Sequence, residues 1–586
     1  MTDFIWLKPK RNDKINVTDF GNDLYPQIKS ILISRGIDSA EKLDVLKHPG
    51  TSQLHSPWLM KDMDKAVKRV VTALEQHQKI LVYGDYDVDG TTAIALVYSF
   101  LKDRNADVDY YVPNRYEEGY GVSEKGIRYA IEQNVNLIIT LDCGIKAHAT
   151  IELAQQVGID VIVCDHHNQG ETLPDAFAVL DPKRRDCGYP FKELSGCGVG
   201  FKLMTALCEV LHLSEKQHLW CYLDYLAIST AADIVPIVDE NRVYMYYGLL
   251  KMAKKPLQSV KIMLVHANLI LLYKNGNGKE QICVNSPLTV SDVVFRIAPK
   301  INAAGRMNDA RDAIRLLLAQ TPEEASQYFT TVASQNSDRQ EKEKKICEEA
   351  LDMLRSDSAT EQQFTNVLYK STWHKGVVGI AAAKILESYY KPTIILCGDG
   401  DVISGSARSV ADFDLYSAIE KCSHLLTSFG GHTHAAGLSL KRSDFDDFKR
   451  LFENAVQSTI QETQRHPSIQ IDEEITLADV TPEFYKQVQI LSPFGPENMD
   501  PVFAIYGVEP SSQYYMGGKK QHLRLNFKLS NNQEISAVGF GMAEKWRNIP
   551  PQSKVDICFT IGVNVFRGVA SLQLQLKDFK KSQKAE

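Results

Sequence analysis

From Lys79 onward the chain repeats one pattern: a short apolar run, a turn and a helical segment, and three of those runs end in aspartate or histidine. The runs are ILVYG, followed by DYDVDG; NLIITL, followed by Asp142; and IDVIVC, followed by Asp165, His166 and His167. VDYYV and FAVL read as further short strands. Short apolar strands alternating with helices imply an α/β fold with a parallel sheet covered on both faces. In an open parallel sheet, ligands bind beyond the carboxyl ends of the strands. Asp85, Asp87, Asp89, Asp142, Asp165, His166 and His167 are therefore expected along one edge. Asp233, at the end of the apolar helix YLAISTAA, is a further candidate.

Such a set has a chemical meaning. Buried carboxylates repel one another and would be protonated, or would unfold the chain, without cations. Oxygen ligands with one or two imidazoles suit Mn²⁺ or Mg²⁺ better than a thiolate-preferring metal. Two such ions roughly 3.5 to 4 Å apart can hold a phosphate, generate hydroxide and stabilise a leaving oxygen. Asp142, alone at its strand end, is the best bridge between them. The string from Asp85 to Gly90 also opens like an EF-hand loop, but the twelfth position is Leu96 and a strand, not a helix, precedes it. Adjacent histidines are often surface or capping residues. Placed directly after a buried strand and an aspartate, ligation or phosphate contact is the better reading. Asp233 by position alone could equally be a helix-terminal residue.

Beyond Pro190 the chain turns helical. A polar stretch, YKNGNGKEQ, reads as a loop, with a local insertion from Asn275 to Lys279. Residues 322–356 read as a long polar helix bridging two lobes. A second α/β segment holds NVLYKS, GVVGIAAAKILESYY, PTIILCGD and the glycine-rich FGGHTHAAG. From about Ser468 the strands are short and alternating, as in a small antiparallel barrel. The chain has 586 residues, enough for several domains, and no run approaches the length of a membrane helix. Eleven cysteines without a CxxC pair, and an N-terminus whose apolar residues are soon interrupted by charge, fit a reducing cytoplasm. The net charge of −7 is unevenly spread. Residues 511–586 hold 12 Lys or Arg against 5 Asp or Glu, a net of +7, so the remainder carries −14. A basic segment beside an acidic pocket suits a polyanion and metal, although charged faces are more often only solvated.

GDYDVDG, LDCG, CDHH and AADIVPI, in that order and spacing, resemble the four motifs of the DHH phosphoesterase family. RIAPKINAAGRM and FGGHTHAAG resemble the branch of that family that degrades single-stranded DNA from the 5′ end. The resemblance implies a DHH catalytic domain over 66–260 after a leader at 1–65. A connecting helical region at 261–360, a DHHA1 domain at 361–460 and an OB-fold DNA-binding domain at 461–586 would follow. It implies a metal set of Asp85, Asp87, Asp89, Asp142, His166 and Asp233, with Asp142 and His167 catalytic. Asn302 and Arg306 would touch the strand backbone. Arg115, Ser406 and Arg408 would receive the 5′ end, and Gly431 and His432 would approach the nucleic acid. Guanidinium forks suit phosphate oxygens; without the resemblance, each arginine reads as a surface salt bridge. His432 and His434 as metal ligands is the lesser reading. Many relatives carry histidine where Tyr83 stands, and tyrosine is a poor ligand for these ions, so Asp85 would take over or one ion would bind more weakly.

The implied activity is metal-dependent, single-strand-specific 5′→3′ exonuclease hydrolysis in DNA repair and recombination, by a monomer, alongside a RecQ-type helicase and a single-stranded-DNA-binding protein. A DHH-family oligoribonuclease or cyclic-dinucleotide phosphodiesterase is the alternative, and a non-catalytic DNA scaffold a third reading. The barrel discriminates, because enzymes acting on very short substrates have no need of it. Lys519, Lys520, Arg524, Lys528 and Arg567, with Tyr514, Tyr515 and Phe566, are its candidate strand contacts, although aromatic residues in a small barrel are more often core.

Overall fold

The structure is a computed structural model, and it describes residues 4–9, 20, 23–274, 276–278, 280–529, 533–566 and 569–582. Asn275, Lys279 and Arg567 lie outside the described residues, as does the Phe566 side chain.

The first sheet holds β1 (Ile80–Gly84), β2 (Val108–Tyr111), β3 (Leu137–Leu141), β4 (Asp160–Cys164) and β5 (Ala178–Leu180) in the order β2-β1-β3-β4-β5, every pairing parallel. β1 and β3 are buried along their whole length, as strands covered on both faces must be. Their register sets the site. Gly84 lies beside Leu141, and Leu141 beside Cys164. The next residues, Asp85, Asp142 and Asp165, therefore leave the sheet at one level. The strand order reverses between β1 and β3, the switch point where open α/β sheets bind ligands.

Three helices close this edge: α1 (Val88–Lys102), α2 (Gly196–Val210) and α3 (Leu223–Ala232). α1 begins earlier than its apolar run suggests. Asp87 caps it, accepting a hydrogen bond from Gly90 N at 3.0 Å, so Asp89 and Gly90 sit in the first turn rather than in a loop. The polar stretch after Asn268 forms the tip of an antiparallel hairpin, Ile270–Lys274 with Glu280–Val284.

α4 (Ala298–Met307) leads to the 35-residue α5 (Pro322–Ser356), whose Thr321–Glu324 capping box starts it sharply. Phe329 and Val332 of α5 belong to the core of the first lobe, and Ile346, Ala350 and Leu354 to that of the second. This division lets one helix with a long polar face join two bodies. The second lobe contains β6 (Asn366–Tyr369), α6 (Val378–Ser388), β7 (Thr393–Cys397), β8 (Val402–Arg408), β9 (Leu426–Gly431) and β10 (Ala435–Lys441). Its order is β9-β10-β8-β7-β6, with only β6 and β7 parallel.

The C-terminal sheet comprises β11 (Glu473–Glu474), β12 (Phe503–Val508), β13 (Ser512–Met516), β14 (His522–Lys528), β15 (Glu534–Gly539), β16 (Val555–Phe566) and β17 (Val569–Lys581), ordered β11-β12-β16-β17-β15-β14-β13. The expected antiparallel pairing holds except at β11/β12 and β15/β17, which are parallel. The beginning of the chain joins this body. Ile5–Leu7 pairs with Ser468–Gln470, and Ile28, Ile31 and Leu32 from the helix Pro26–Ser34 enter one core with Phe484, Phe503 and Phe559.

Candidate active site

At the switch point the structure gathers the acidic residues around His166. Its Nε2 lies 3.1 Å from Asp142 Oδ1, 3.6 Å from Asp233 Oδ2 and 3.8 Å from Asp89 Oδ2. Asp89 is held from behind: Gly196 N donates to it at 2.6 Å, Cys197 N at 2.8 Å and the Ser229 hydroxyl at 2.6 Å. The first two donors are the start of α2, where unsatisfied N–H groups favour negative charge. Such close approach needs glycine. A Cβ on Gly196 would fall 2.5 Å from the Asp142 Cβ, and one on Gly90 would fall 2.4 Å from the Asp85 carbonyl oxygen. Asp142 itself adopts φ +59°, which turns its side chain back over the strand ends.

The charge balance shows what these groups are built to hold. Burial raises the ionisation of Asp85, Asp142 and Asp233 well above the ordinary carboxylate range, and neighbouring aspartates raise it further. Burial likewise pushes Asp89 up to about 6, with the Asp87 charge adding to it. Burial, together with the charge of His167, pulls His166 down to about 3, so its ring is neutral. Its Nε2 makes no hydrogen bond, although three carboxylates surround it. Mutually repelling carboxylates around an unpartnered imidazole nitrogen are a donor set for hard divalent cations. His166 belongs to two such groups, one with Asp142 and His167 and one with Asp89 and Asp233.

His167 is tied differently. Its Nδ1 lies 2.8 Å from Asp165 Oδ1. Burial alone would raise Asp165, yet the bond from His167 and its charge hold that carboxylate down to about 2. His167 is correspondingly raised despite its own burial, by its bond to Asp165. With Nδ1–H committed to an ionised carboxylate, Nε2 is left with only a long contact, 3.4 Å, to the Tyr120 hydroxyl. The Tyr120 hydroxyl donates to the Asp142 carbonyl at 2.9 Å and lies 3.1 Å from His167 Nδ1. Tyr120, Asp165 and His167 line a cleft of about 660 Å³, whose far wall carries Gly431 and His432 from the β9–β10 turn of the second lobe.

Beside the acidic centre is a basic one. Arg115 stacks over the Tyr86 ring at 4.9 Å, on the strand-to-helix turn between Asp85 and Asp87. Burial, with the charges of Arg115 and Arg408 nearby, pulls Arg306 down to about 10. Arg408 is also lowered, by burial and by Arg115. Among the described residues none of these three guanidinium groups pairs with a carboxylate, which leaves out the surface salt-bridge reading. Ser406 and Arg408 flank Gly379, where a Cβ would meet both side chains at 3.1 Å.

Comparison with known proteins agrees with this arrangement. The description "DHH family, N-terminal domain" matches residues 79–230, "DHHA1 domain" residues 362–458 and "RecJ OB domain" residues 471–578. The single-stranded-DNA-specific exonuclease RecJ of Bacillus subtilis is 34% identical over 573 residues, covering 97% of this chain and 70% of that protein. Its counterpart in Escherichia coli is 30% identical over 587 residues, covering 97% and 98%. The chain belongs to the RecJ family. The crystal structure of Thermus thermophilus RecJ in complex with Mn²⁺ superposes with a TM-score of 0.82 at 25% identity, covering 99% of this chain and 80% of that one. The fold is thus the RecJ fold throughout, barrel included.

Within this RecJ architecture, most of the residues expected from sequence fall into two groups. Asp89, Asp142, His166 and Asp233 converge, with Asp85 and Asp87 on the adjoining turn. Arg115, Arg306, Ser406 and Arg408 form the basic neighbourhood. Asn302 is half-buried on α4, one turn before Arg306. Tyr83 does not face the metal set. Its hydroxyl donates to the Gly121 carbonyl at 3.1 Å and accepts from Ser123 N at 3.0 Å on the other face of the sheet. On the barrel, Arg524 and Lys528 share the outer face of β14, and Tyr514 pairs directly with Arg524. Tyr514 is exposed, whereas Tyr515 packs under Arg547. Reading by residue missed Tyr120, Ser229 and the α2 N–H groups, although SGCGVG is a legible glycine-rich helix start. It also missed Asp181, one residue beyond β5, whose carboxyl burial pushes up to about 7.

Proposed function

We propose that this chain hydrolyses single-stranded DNA from its 5′ end as a metal-dependent exonuclease of DNA repair and recombination. The observation that carries the reading is the juxtaposition of an acidic centre fit for divalent cations with three half-buried guanidinium groups that, among the described residues, pair with no carboxylate. Asp85, Asp87, Asp89, Asp142, His166 and Asp233 would hold two ions, Mn²⁺ or Mg²⁺. When bound, such ions supply the Lewis acidity and the activated water that phosphodiester hydrolysis needs.

The chain's own residues supply the rest. The α2 N-terminus and Ser229 fix Asp89, so that ligand geometry is set before substrate arrives. Asp165 holds His167 by its Nδ1 on the cleft wall, and the raised ionisation of His167 favours a donor to a phosphate oxygen. Arg115 and Arg408, with Ser406, bind the terminal phosphate, and Arg306 with Asn302 the adjoining backbone. Gly431 and His432 close on the strand from the second lobe. The outer face of β13–β14, with Tyr514, Arg524 and Lys528, tracks the trailing strand by stacking and phosphate contact. That face has no evident use in an oligoribonuclease or cyclic-dinucleotide phosphodiesterase.

Among the described residues no helix is long and apolar enough to cross a membrane, and all eleven cysteines are free thiols. We place the enzyme in the cytoplasm as a monomer, supplied with unwound strands by a RecQ-type helicase and a single-stranded-DNA-binding protein. The test is to incubate 5′-labelled single-stranded DNA, duplex DNA and a dinucleotide with the protein and Mn²⁺. Release of label as mononucleotide from the single strand alone is expected. Preference for the dinucleotide with no attack on long DNA would overturn the reading.

A further inference from the structure

The segment between β2 and Ser123 joins the basic pocket to the acidic centre, and every few residues it is pinned. The Asn114 side chain accepts from Tyr116 N and Glu117 N, closing a turn that presents Arg115 to the pocket. The Tyr116 hydroxyl donates to the Arg306 carbonyl. The Glu118 carboxylate gathers Asn114 N at 2.8 Å and the Tyr111 hydroxyl at 2.9 Å. Gly119 and Gly121 take φ +81° and +88°, conformations that throw the intervening Tyr120 toward the strand ends. There its hydroxyl reaches the Asp142 carbonyl and His167 Nδ1, while Gly121 N reaches Asp85 Oδ1 at 3.4 Å. The Tyr120 ring remains 55% exposed on the cleft. Four residues thus separate a group that binds one end of the substrate from a group that orients the histidine facing the scissile bond.

We propose that Tyr120 is a positioning residue that couples occupancy of the Arg115 pocket to the orientation of His167. The inference rests on the exonuclease reading above. A terminal phosphate on Arg115 holds the segment in the shape observed, and in that shape the Tyr120 oxygen accepts a second share of the His167 Nδ1–H while its proton goes to the Asp142 carbonyl. Without that phosphate the segment rests on the Asn114, Tyr116 and Glu118 bonds alone, and whenever these open His167 keeps only its bond to Asp165. The enzyme would then turn over true ends faster than it could cut inside a strand.

The experiment uses the full chain with Mn²⁺ and two single-stranded oligonucleotides that differ only in a 5′-phosphate or 5′-hydroxyl. Tyr120→Phe is expected to lower kcat on the 5′-phosphorylated strand, by up to about 10²-fold for a misplacement near 1 Å, with KM and Mn²⁺ affinity close to the parent's. The kcat ratio between the two substrates should collapse toward one. Gly119→Ala leaves every hydroxyl in place, has open space for its Cβ and only disfavours the backbone shape; it should lower the same ratio. Arg408→Ala separates the two ideas. Loss of the phosphate preference in Arg408→Ala but not in Tyr120→Phe or Gly119→Ala would overturn the coupling and leave the pocket standing. An Arg408→Ala variant that keeps the parent's preference would overturn the pocket reading, and the coupling with it.

Discussion

Replacing Asp233 with Asn should stabilise the metal-free protein and weaken its response to metal. Asp89 and Asp233 offer oxygens within 4.8 Å of each other. Two full charges at that separation repel by about 3.5 kcal/mol at an effective dielectric near 20. The Asp233 side chain is 26% exposed, so water screens part of this, leaving about 2 kcal/mol. For a cooperative unit of 150–250 residues that is roughly 4 to 8 °C in melting temperature. The pH dependence has a definite sign. Burial lifts Asp89 from 3.8 to about 6, so the metal-free fold is most stable below the unfolded carboxylate value and weakens as pH rises through about 6. Burial and the neighbouring aspartates also raise Asp233 itself well above 3.8, so the gain in Asp233→Asn should be small at pH 5 and grow as pH rises toward 8 and Asp233 ionises. Added Mn²⁺ should reverse the order, because a fold that binds metal is stabilised in proportion to its affinity, by about 2.7 kcal/mol at a hundredfold excess over Kd. Thermal unfolding in chelator and across a Mn²⁺ titration reads all of this. A variant that melts below the parent in chelator at pH 8, or gains as much from Mn²⁺, would refute the reasoning.

Asp142→Asn should abolish turnover of single-stranded DNA, by 10²-fold or more on the scale of lost ligand and positioning groups, while circular dichroism shows the parent fold; near-normal rates would remove its bridging role. Tyr514→Ala with Arg524→Ala should weaken binding of long strands and lower the salt slope by about one, leaving cleavage of a short oligonucleotide near the parent rate. Burial pushes Asp500 up to about 6, and its Oδ1 has no hydrogen-bond partner. Stability from this group is full below about 3.8 and lost as pH rises through 6, by at most about 3 kcal/mol, so Asp500→Asn should raise the melting temperature at pH 8 and not at pH 4.

The acidic edge was legible because polar residues at the ends of apolar runs have few structural uses, and a parallel sheet sends all such ends to one side. The level register that sets Asp85, Asp142 and Asp165 side by side was implicit in that reading and needed no further information. Arg115, Arg306 and Arg408 were different. They come from three distant segments, and only family resemblance linked them before the fold did. Tyr120 carried no signal, since one aromatic residue between two glycines in a loop is ambiguous until both glycines take positive φ. Tyr83 could be read as a defective ligand only because strand alternation had not yet assigned it to the opposite face. The EF-hand reading fails on a local detail, because the Asp87 side chain caps α1. His432 and His434 lie in an exposed hairpin turn, outside every metal-capable group among the described residues.

The helix Pro26–Ser34 shares its apolar core with Phe484 and Phe503, and Tyr25 N bonds to Gln487, 462 residues away. On a ribosome moving at about 5 to 20 residues per second, that helix emerges roughly 20 to 90 s before its binding surface exists. Ile28, Ile31 and Leu32 must wait all that time exposed or shielded by another protein. Completion of this core therefore waits on the barrel domain, and expressing residues 23–48 in trans with the remainder would show whether the two pieces find each other unaided.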